Sequence, residues 1–161
     1  MKVVIEVDEE LSEECVIIRC QRRDEKVVRL QSLLAEQMNS DRDILLHKGE
    51  KSYYLPLEKI LFFETEQKQI LAHTQKEMYE TDYKLYELEE LLPGYFMRVS
   101  KSTIVILNYI YSITKNITAS SMIEFQGCHK QIFVSRNYYK ALIERLDEKR
   151  KIRWNRKEKQ D

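Results

Sequence analysis

The sequence predicts a mostly β protein with small helices, in which an antiparallel β domain follows a short ββα extension. From residue 44 onward, short runs rich in β-branched and aromatic residues alternate with polar turns, which is the pattern of half-buried antiparallel strands. Apolar residues at helical spacing are confined to three short stretches. Many strands and few helices indicate a β-dominated domain with helical inserts.

Residues 1–43 are the predicted ββα extension, for which we expect a role in dimerisation or regulation. The β-branched runs Lys2–Val7 and Cys15–Cys20 predict two strands separated by a polar turn. We expect Asp24 to cap the helix that follows, because its side chain can accept hydrogen bonds from amides of the first turn. The apolar face of that helix carries Val27, Leu30, Leu34 and Met38.

Residues 44–147 are the predicted main domain, which alternates strands with two helices. Its expected strands are Ile44–His47, Tyr53–Leu55, Ile60–Glu64, Ile70–Thr74, Met78–Thr81, Phe96–Val99, Ile104–Leu107, Ile110–Thr114, Met122–Phe125 and Gln131–Val134. A helix with an apolar face at Leu85, Leu88, Leu91 and Leu92 interrupts them and ends at Pro93-Gly94. Ser135 is placed to cap a final helix. Periodicity is lost after Asp147, so we expect residues 148–161 to be a basic C-terminal tail.

The charges are divided unevenly along the chain, although the formal net charge is zero. Residues 1–93 carry 13 Lys and Arg against 21 Asp and Glu, a net charge of −8. Residues 94–161 carry 14 against 6, a net charge of +8. A basic half can attract phosphate groups. The same division fits a chance dipole across an ordinary surface, so charge alone permits nucleic-acid binding without requiring it.

The cysteines and the hydropathy of the chain indicate a cytoplasmic protein. Cys15, Cys20 and Cys128 form no paired framework, which suits a reducing compartment. A basic-then-apolar leader is not found at the start of the sequence. The longest uncharged run, Ser102–Thr114, is too short and too polar to span a bilayer.

The sequence predicts a non-enzymatic protein without a cofactor or a metal. Its three glycines lie too far apart to form a phosphate-binding loop or a dinucleotide fingerprint. Cys128 and His129 are adjacent, so their side chains diverge and suit neither metal chelation nor activation of a nucleophile. The acidic residues Glu87, Glu89 and Glu90 are assigned to the solvated face of a helix.

Four segments of the main domain, taken in order, match the pattern of one family. They are Ile60–Glu64, Tyr83–Leu92, Phe96–Ser102 and Phe133–Tyr139. In this order they resemble the LytTR family of bacterial DNA-binding domains, from about Ile44 to Leu146. The F-x-R-V-x-x-S element of Phe96–Ser102 is the most specific part. The resemblance implies an elongated domain of small antiparallel sheets, in which loops rather than a recognition helix enter successive major grooves of bent double-stranded DNA.

Three candidate loops carry side chains suited to phosphates and base edges, namely Glu66–Gln69, Ser100–Ser102 and Ser135–Asn137. Arg136 matches the family's base-reading arginine, and an Arg can donate two hydrogen bonds to guanine. Lys101 aligns with a polar contact of the second loop, where other members often carry Asn. The third loop begins a helix, whose free amides favour a phosphate. The complete set of candidate DNA-binding residues is Lys68, Arg98, Ser100, Lys101, Ser102, Ser135, Arg136 and Asn137.

Several candidates have a structural alternative. Arg98 lies on a strand between apolar neighbours and could anchor the fold instead of contacting phosphate. Ser100 and Ser102 could serve only to close a turn. The chain also departs from the family at Ile106, where members commonly carry Asn, and Asn108 two residues later could fix the local turn in its place.

The resemblance also bears on partners. The family's better-known members place a receiver domain ahead of the DNA-binding domain, and residues 1–43 are too few to form one. Phosphorylation control by that route is therefore not expected. LytTR regulators without receivers are often paired with a small membrane protein, which makes such a protein a candidate partner. A homodimer on repeated half-sites is the expected assembly.

The sequence thus predicts a regulator of transcription that binds specific double-stranded DNA, and it leaves two alternatives open. One is a protein-binding β module of a signalling complex. The other is a single-stranded nucleic-acid binder, in which aromatic rings would stack on bases. The rings available for that surface are Tyr109, Tyr111, Tyr138 and Tyr139.

Overall fold

A computed structural model of the protein describes residues 16–39 and 42–157. These residues contain the helices α1 (Glu25–Asn39), α2 (Leu85–Leu91) and α3 (Arg136–Lys157). The strands are β1 (Asp43–Lys48), β2 (Lys51–Pro56), β3 (Phe62–Glu66), β4 (Gln69–His73), β5 (Met78–Thr81), β6 (Phe96–Arg98), β7 (Thr103–Ile106), β8 (Ile110–Thr114), β9 (Ser121–Phe125) and β10 (Gln131–Val134). The expected mostly β class is confirmed. Within the described ranges, no helix has the length and apolar character needed to cross a membrane.

The chain divides into two compact units, with the boundary between Leu34 and Ala35. In the first unit, α1 begins as its sequence predicts. The amide of Val27 donates to Asp24 Oδ1 at 3.0 Å, and the amide of Val28 donates to the Asp24 carbonyl at 3.0 Å. Asp24 is therefore the N-cap of α1. The half-buried side chains of this part of α1 are Val27, Leu30, Leu33 and Leu34.

The predicted strand Cys15–Cys20 is wrong over the five of its residues that are described. Residues 16–20 have no regular secondary structure. A β-branched run becomes a strand only when a neighbour supplies a hydrogen-bonded ladder, and none of the strand pairs formed by the described residues includes 16–20. Val16 and Ile17 are 57% and 71% exposed instead. The other predicted strand of the extension, Lys2–Val7, lies outside the described residues.

The second unit contains two antiparallel sheets. The larger has seven strands in the order β2-β1-β5-β4-β3-β7-β6, and the smaller has three in the order β10-β9-β8. Hairpins join β1 to β2, β3 to β4, and β4 to β5, so most neighbours in the sheet are neighbours in sequence. The β1–β2 hairpin turns at Gly49, whose φ of +61° is the left-handed conformation that glycine adopts without strain.

Stacked rings hold the small sheet against the large one. Phe62 of β3 stacks on Phe125 of β9 with ring centroids 5.6 Å apart. Lys130, which precedes β10, donates to the carbonyls of Thr74 and Glu77 in the β4–β5 turn at 2.8 and 3.0 Å. The two sheets are therefore fixed by an apolar contact at the core and by a polar contact at its edge.

Helix α3 extends ten residues beyond Asp147, where the sequence predicted an irregular tail. Leu142 is fully buried in the core. Further along, Arg145 donates to the Gly94 carbonyl and Lys149 to Asn108 Oδ1. The residues after Asp147 are mostly Lys, Arg and Glu, which are good helix formers, and no Gly or Pro stops them. The helix therefore continues on propensity after its apolar periodicity ends.

The buried residue His73 lies next to the contact between the sheets, beside the half-buried Glu64. The ring of His73 stacks on Phe62 at 4.2 Å, and its Nε2 lies 3.2 Å from Glu64 Oε1. Burial, reinforced by the Lys130 ammonium, lowers the pKa of His73 from 6.5 to about 4. Burial, reinforced by Glu66, raises the pKa of Glu64. Both shifts favour the uncharged forms, and the shift of His73 keeps its ring neutral at neutral pH.

Acid is expected to destabilise the domain between pH 6.5 and pH 4. The unfolded chain protonates His73 near pH 6.5 and the folded domain only near pH 4. The free energy of unfolding therefore falls as the pH decreases through this window, by up to about 3 kcal/mol. Urea unfolding at successive pH values measures how steeply the free energy of unfolding changes with pH. The raised pKa of Glu64 acts in the opposite direction, so wild type is compared with His73→Gln, which lacks the titrating ring and keeps Glu64. If the stability of the two proteins depended on pH equally, His73 would not be the group responsible for the acid destabilisation.

Candidate nucleic-acid interface

The three loops that the sequence singled out lie at one end of the second unit. They are the β3–β4 turn at Gln67-Lys68, the β6–β7 loop at Val99–Ser102, and the β10–α3 junction at Ser135–Asn137. Two backbone hydrogen bonds join them. The amide of Thr65, at the end of β3, donates to the Ser102 carbonyl at 2.9 Å, and the amide of Ser135 donates to the Val99 carbonyl at 2.9 Å. The second loop is therefore fastened to the first on one side and to the third on the other.

The first loop is a two-residue hairpin turn with an unfavourable backbone. Glu66 pairs with Gln69, which leaves Gln67 and Lys68 as the turn. Their φ values are +47° and +67°, a left-handed conformation that hairpins usually fill with Asn and Gly. For residues with a Cβ this costs about 1–2 kcal/mol each. Both side chains are exposed, and the strained turn places Lys68 at its tip.

The second loop is closed by its serines. Ser100 Oγ lies 3.3 Å from Ser102 Oγ and accepts from the Ser102 amide at 3.2 Å. Lys101, between them, is exposed. The two serines therefore close the turn, which was their predicted alternative role, and the turn presents the lysine to solvent.

The Arg98 guanidinium is engaged within the protein. Its Nε donates to the Ser100 carbonyl at 3.0 Å, and another of its nitrogens donates to the Lys101 carbonyl. A third nitrogen forms an ion pair with Glu89 of α2 at 2.7 Å. Arg98 thus connects the Ser100 and Lys101 carbonyls of the second loop to Glu89 of α2. Sequence reasoning placed Glu89 on a solvated face, and no pattern in the sequence indicated that this residue, rather than its acidic neighbours, holds Arg98.

The third loop leads into α3. Arg136 and Asn137 are exposed on the first turn of the helix. Ser135 occupies the expected cap position, since the amide of Tyr138 donates to its carbonyl at 3.0 Å. Its hydroxyl does not make the expected cap bond: Ser135 Oγ is buried and has no hydrogen-bond partner among the described residues. A contact from this hydroxyl to a ligand would require it to rotate towards the surface.

The loop end carries cations that the protein leaves without acidic partners. None of the ion pairs formed by the described residues includes Lys68, Lys101 or Arg136. All three side chains are exposed. Three uncompensated positive charges on joined loops form a surface that attracts anions.

The predicted aromatic stacking surface is not assembled. Tyr109, Tyr138 and Tyr139 are half-buried and pack against the core. Tyr111 is 74% exposed and is the one ring of the four that faces solvent freely. Binding of single strands depends on several accessible rings in succession, so the structure favours the loops over these tyrosines as the contact surface.

Ile106, where members of the family commonly carry Asn, and the nearby Asn108 both have structural roles. Ile106 is fully buried and pairs with Phe96 in the large sheet. Asn108 accepts a hydrogen bond from Lys149 of α3 through its side chain. The turn after β7 is therefore fastened to α3, and the strand that follows the second loop is regular.

Comparisons with known proteins agree on one kind of domain. Residues 50–147 match the family model of the LytTr DNA-binding domain. An uncharacterised HTH-type transcriptional regulator of Staphylococcus aureus strain NCTC 8325 is 32% identical over 87 residues, which cover 54% of this chain and 58% of the relative. A similarly named protein of the bovine strain RF122 is 29% identical over 94 residues, which cover 58% of this chain and 63% of the relative. The chain spans less than two thirds of the length of these relatives.

A solved structure has the same fold. The LytTr DNA-binding domain of a protein from Bacillus cereus superposes with a TM-score of 0.59 at 22% identity. The match covers 64% of this chain and 97% of the Bacillus domain. The fold of about two thirds of this chain is thus also found in a solved LytTr domain.

The contacts of Arg98 generate a test that separates positioning from direct phosphate contact. Arg98→Gln should weaken binding to a specific duplex by about three- to tenfold, because the second loop loses charge-assisted hydrogen bonds. The dependence of affinity on salt should not change, because no phosphate contact is lost. Fluorescence anisotropy across a salt series measures both quantities.

Glu89→Gln is a second test of whether Arg98 acts by positioning the second loop. Removing a negative charge near DNA should strengthen binding by simple electrostatics, whereas loss of the Arg98 anchor should weaken it. Glu90→Gln makes the same charge change on the exposed face of α2 and is the matched control. If Glu89→Gln and Glu90→Gln behave alike, Glu89 does not act through Arg98.

Proposed function

Because the chain belongs to the LytTR family of DNA-binding domains, we propose that it binds specific double-stranded DNA and regulates transcription. The observation that carries the proposal is the pair of backbone hydrogen bonds that brings three cation-bearing loops to one end of the domain. The curated relatives are named transcriptional regulators, which supports the same function. DNA binding also requires the protein to share the compartment of the chromosome.

We assign sequence reading to the loops rather than to a helix pair. Within residues 16–39 and 42–157, strands separate every two successive helices, so these ranges hold no helix-turn-helix unit. Arg136 and Lys101 would read base edges, since a guanidinium can bond O6 and N7 of guanine and an ammonium can bond the same acceptors. Lys68, at the tip of a separate turn, is the candidate for a third contact.

The remaining candidates fit supporting roles. Ser100 and Ser102 shape the second loop, Asn137 is available to a phosphate at the start of α3, and Ser135 would need to turn its hydroxyl outward. Arg98 has its guanidinium committed to the second loop, so we assign it to positioning Lys101. Contacts of this kind fix the register of a protein on the duplex without specifying sequence.

Phosphate attraction is assigned to the loop end rather than to the basic C-terminal half of α3. Asn108, which holds Lys149, follows β7 at the end opposite to Ser102. At a rise of 1.5 Å per residue, Lys149 lies about 20 Å along α3 from Arg136. The exposed residues Arg150 and Lys151, which follow Lys149, are therefore distant from the loops that the proposal places on DNA.

The proposed assembly is a homodimer on repeated half-sites. Two copies on one face of the duplex would need half-sites separated by one helical turn, about 10 base pairs, or a multiple of it. We also propose a small membrane protein as the regulatory partner. The support for this partner is the resemblance to LytTR regulators without receiver domains.

Selection from a random duplex pool tests the proposed function. Wild type should enrich a sequence with two similar half-sites, whereas a protein-binding module would enrich none. Arg136→Ala should select a pool that loses preference at one position of each half-site, because a bidentate arginine contributes about 1–3 kcal/mol of discrimination. Lys76→Ala, at an exposed site in the β4–β5 turn, is the control and should select the wild-type sequence. If Arg136→Ala weakens specific and random duplexes equally, Arg136 is not a base reader.

A further inference from the structure

A fourth segment lies at the same end of the domain as the three loops. This is the β8–β9 loop, residues 115–120, which the sequence analysis did not assign to DNA. Ser121, which ends the loop, pairs with Val134, the residue before Ser135. Because the Ser135 amide is bonded to the Val99 carbonyl, the β8–β9 loop is next to the third loop and close to the second.

The β8–β9 loop has a defined conformation although it is exposed. Asn116 Oδ1 accepts hydrogen bonds from the amides of Thr118 and Ala119 at 3.1 and 3.2 Å. The Asn116 amide donates to Ser121 Oγ at 3.2 Å, and Ser121 is buried. These bonds form an Asx turn anchored at its base. These bonds therefore order the backbone next to Lys115.

Lys115 is directed onto the first turns of α3. Its ammonium lies 5.5 Å from the ring centroid of Tyr139, within the range of a cation–π contact. Tyr139 follows Arg136 by three residues and Lys140 follows it by four, so all three lie on one face of the helix. Lys115 therefore lies against the helix face that also carries Arg136 and Lys140, and these three cations form one group.

The positive charges of this group have no acidic partner within the described part of the chain. None of the ion pairs found there includes Lys115, Arg136 or Lys140, and all three side chains are exposed. Like charges four residues apart on a helix repel each other, and Lys115 adds a third charge from the neighbouring loop. Such a group is stabilised by an anion, and a lysine ammonium suits a phosphate as a point charge without demanding a base sequence.

We propose that the β8–β9 loop is a fourth DNA-contacting segment, in which Lys115, held against Tyr139, binds a backbone phosphate beside the base pair contacted by Arg136. The inference rests on the proposed DNA-binding function. Lys115 supplies affinity and register, and Tyr139 is a positioning residue that fixes the ammonium. Arg136 supplies the sequence preference.

Lys115→Gln tests the inference in the full chain. Loss of one phosphate contact should lower the slope of log K against log salt by about 0.9, which is about an eightfold loss of affinity at 0.1 M salt that shrinks towards none at 1 M. Specific and random duplexes should lose the same factor, unlike the base-selective effect of Arg136→Ala. Lys76→Gln removes the same charge at the opposite end of the large sheet, where the β4–β5 turn lies, and should leave the slope unchanged.

Two variants of Tyr139 test the positioning role. Tyr139→Phe keeps the aromatic ring and should bind as wild type does. Tyr139→Leu removes the ring and should reproduce part of the loss seen in Lys115→Gln, and it should cause no further loss when combined with Lys115→Gln. Thermal unfolding confirms that each variant is folded before its affinity is measured. A full additional loss in the double variant would show that Tyr139 acts independently of Lys115.

The outcomes distinguish the two proposals. If wild type binds no duplex in the salt series or the pool selection, the proposed function fails. If wild type binds and Lys115→Gln retains its slope and its affinity within twofold, only the fourth contact is overturned. If Lys115→Gln loses affinity for the specific duplex alone, Lys115 contacts a base, and the assignment to phosphate is overturned.

Discussion

Two backbone hydrogen bonds determine the arrangement of the surface that we assign to DNA. The bond from the Thr65 amide to the Ser102 carbonyl joins the β3–β4 turn to the β6–β7 loop, and the bond from the Ser135 amide to the Val99 carbonyl joins that loop to the start of α3. These loops come from two sheets, so the bonds hold only if the sheets are packed correctly. The stacking of Phe62 on Phe125 and the hydrogen bond from Lys130 to the Thr74 carbonyl fix that packing. The position of Arg136 relative to Lys101 thus depends on contacts in the core.

The same end of the domain carries several features that are unfavourable in the isolated protein. Gln67 and Lys68 adopt left-handed conformations where glycine or asparagine would be relaxed. Lys68, Lys101 and Arg136 take part in none of the ion pairs of the described residues, although the chain as a whole has equal numbers of acidic and basic residues. The buried hydroxyl of Ser135 has no hydrogen-bond partner among the described residues. Features of this kind lower the stability of the isolated protein, and binding of a phosphate backbone would compensate for the charges. Their clustering at one end supports a single binding face.

The sequence predicted the fold better than the details of the site, for physical reasons. Strand periodicity and turn residues are local properties, so ten strands were expected within about two residues of their positions. The Cys15–Cys20 strand was wrong over residues 16–20, because β-branched composition alone does not make a strand. Helix α3 was underestimated because a helix can continue without apolar periodicity. The role of Arg98 depends on Glu89, nine residues earlier on another element, and the position of Lys115 depends on strand pairing. Sequence spacing carries no record of such contacts. The family pattern indicated the three loops, and the structure added how they are joined.

The proposed function requires that these loops act together as one DNA-binding face. Backbone amide chemical shifts of the isotope-labelled protein, followed during titration with the selected duplex, test this claim directly. The largest changes are expected together at Lys68, Lys101 and Arg136. The Gly49-Glu50 turn and the Thr74–Glu77 turn, at the other end of the β3–β4 hairpin, should remain unchanged. Changes centred on those distant turns or on the C-terminal half of α3, with the three loops unaffected, would contradict this claim.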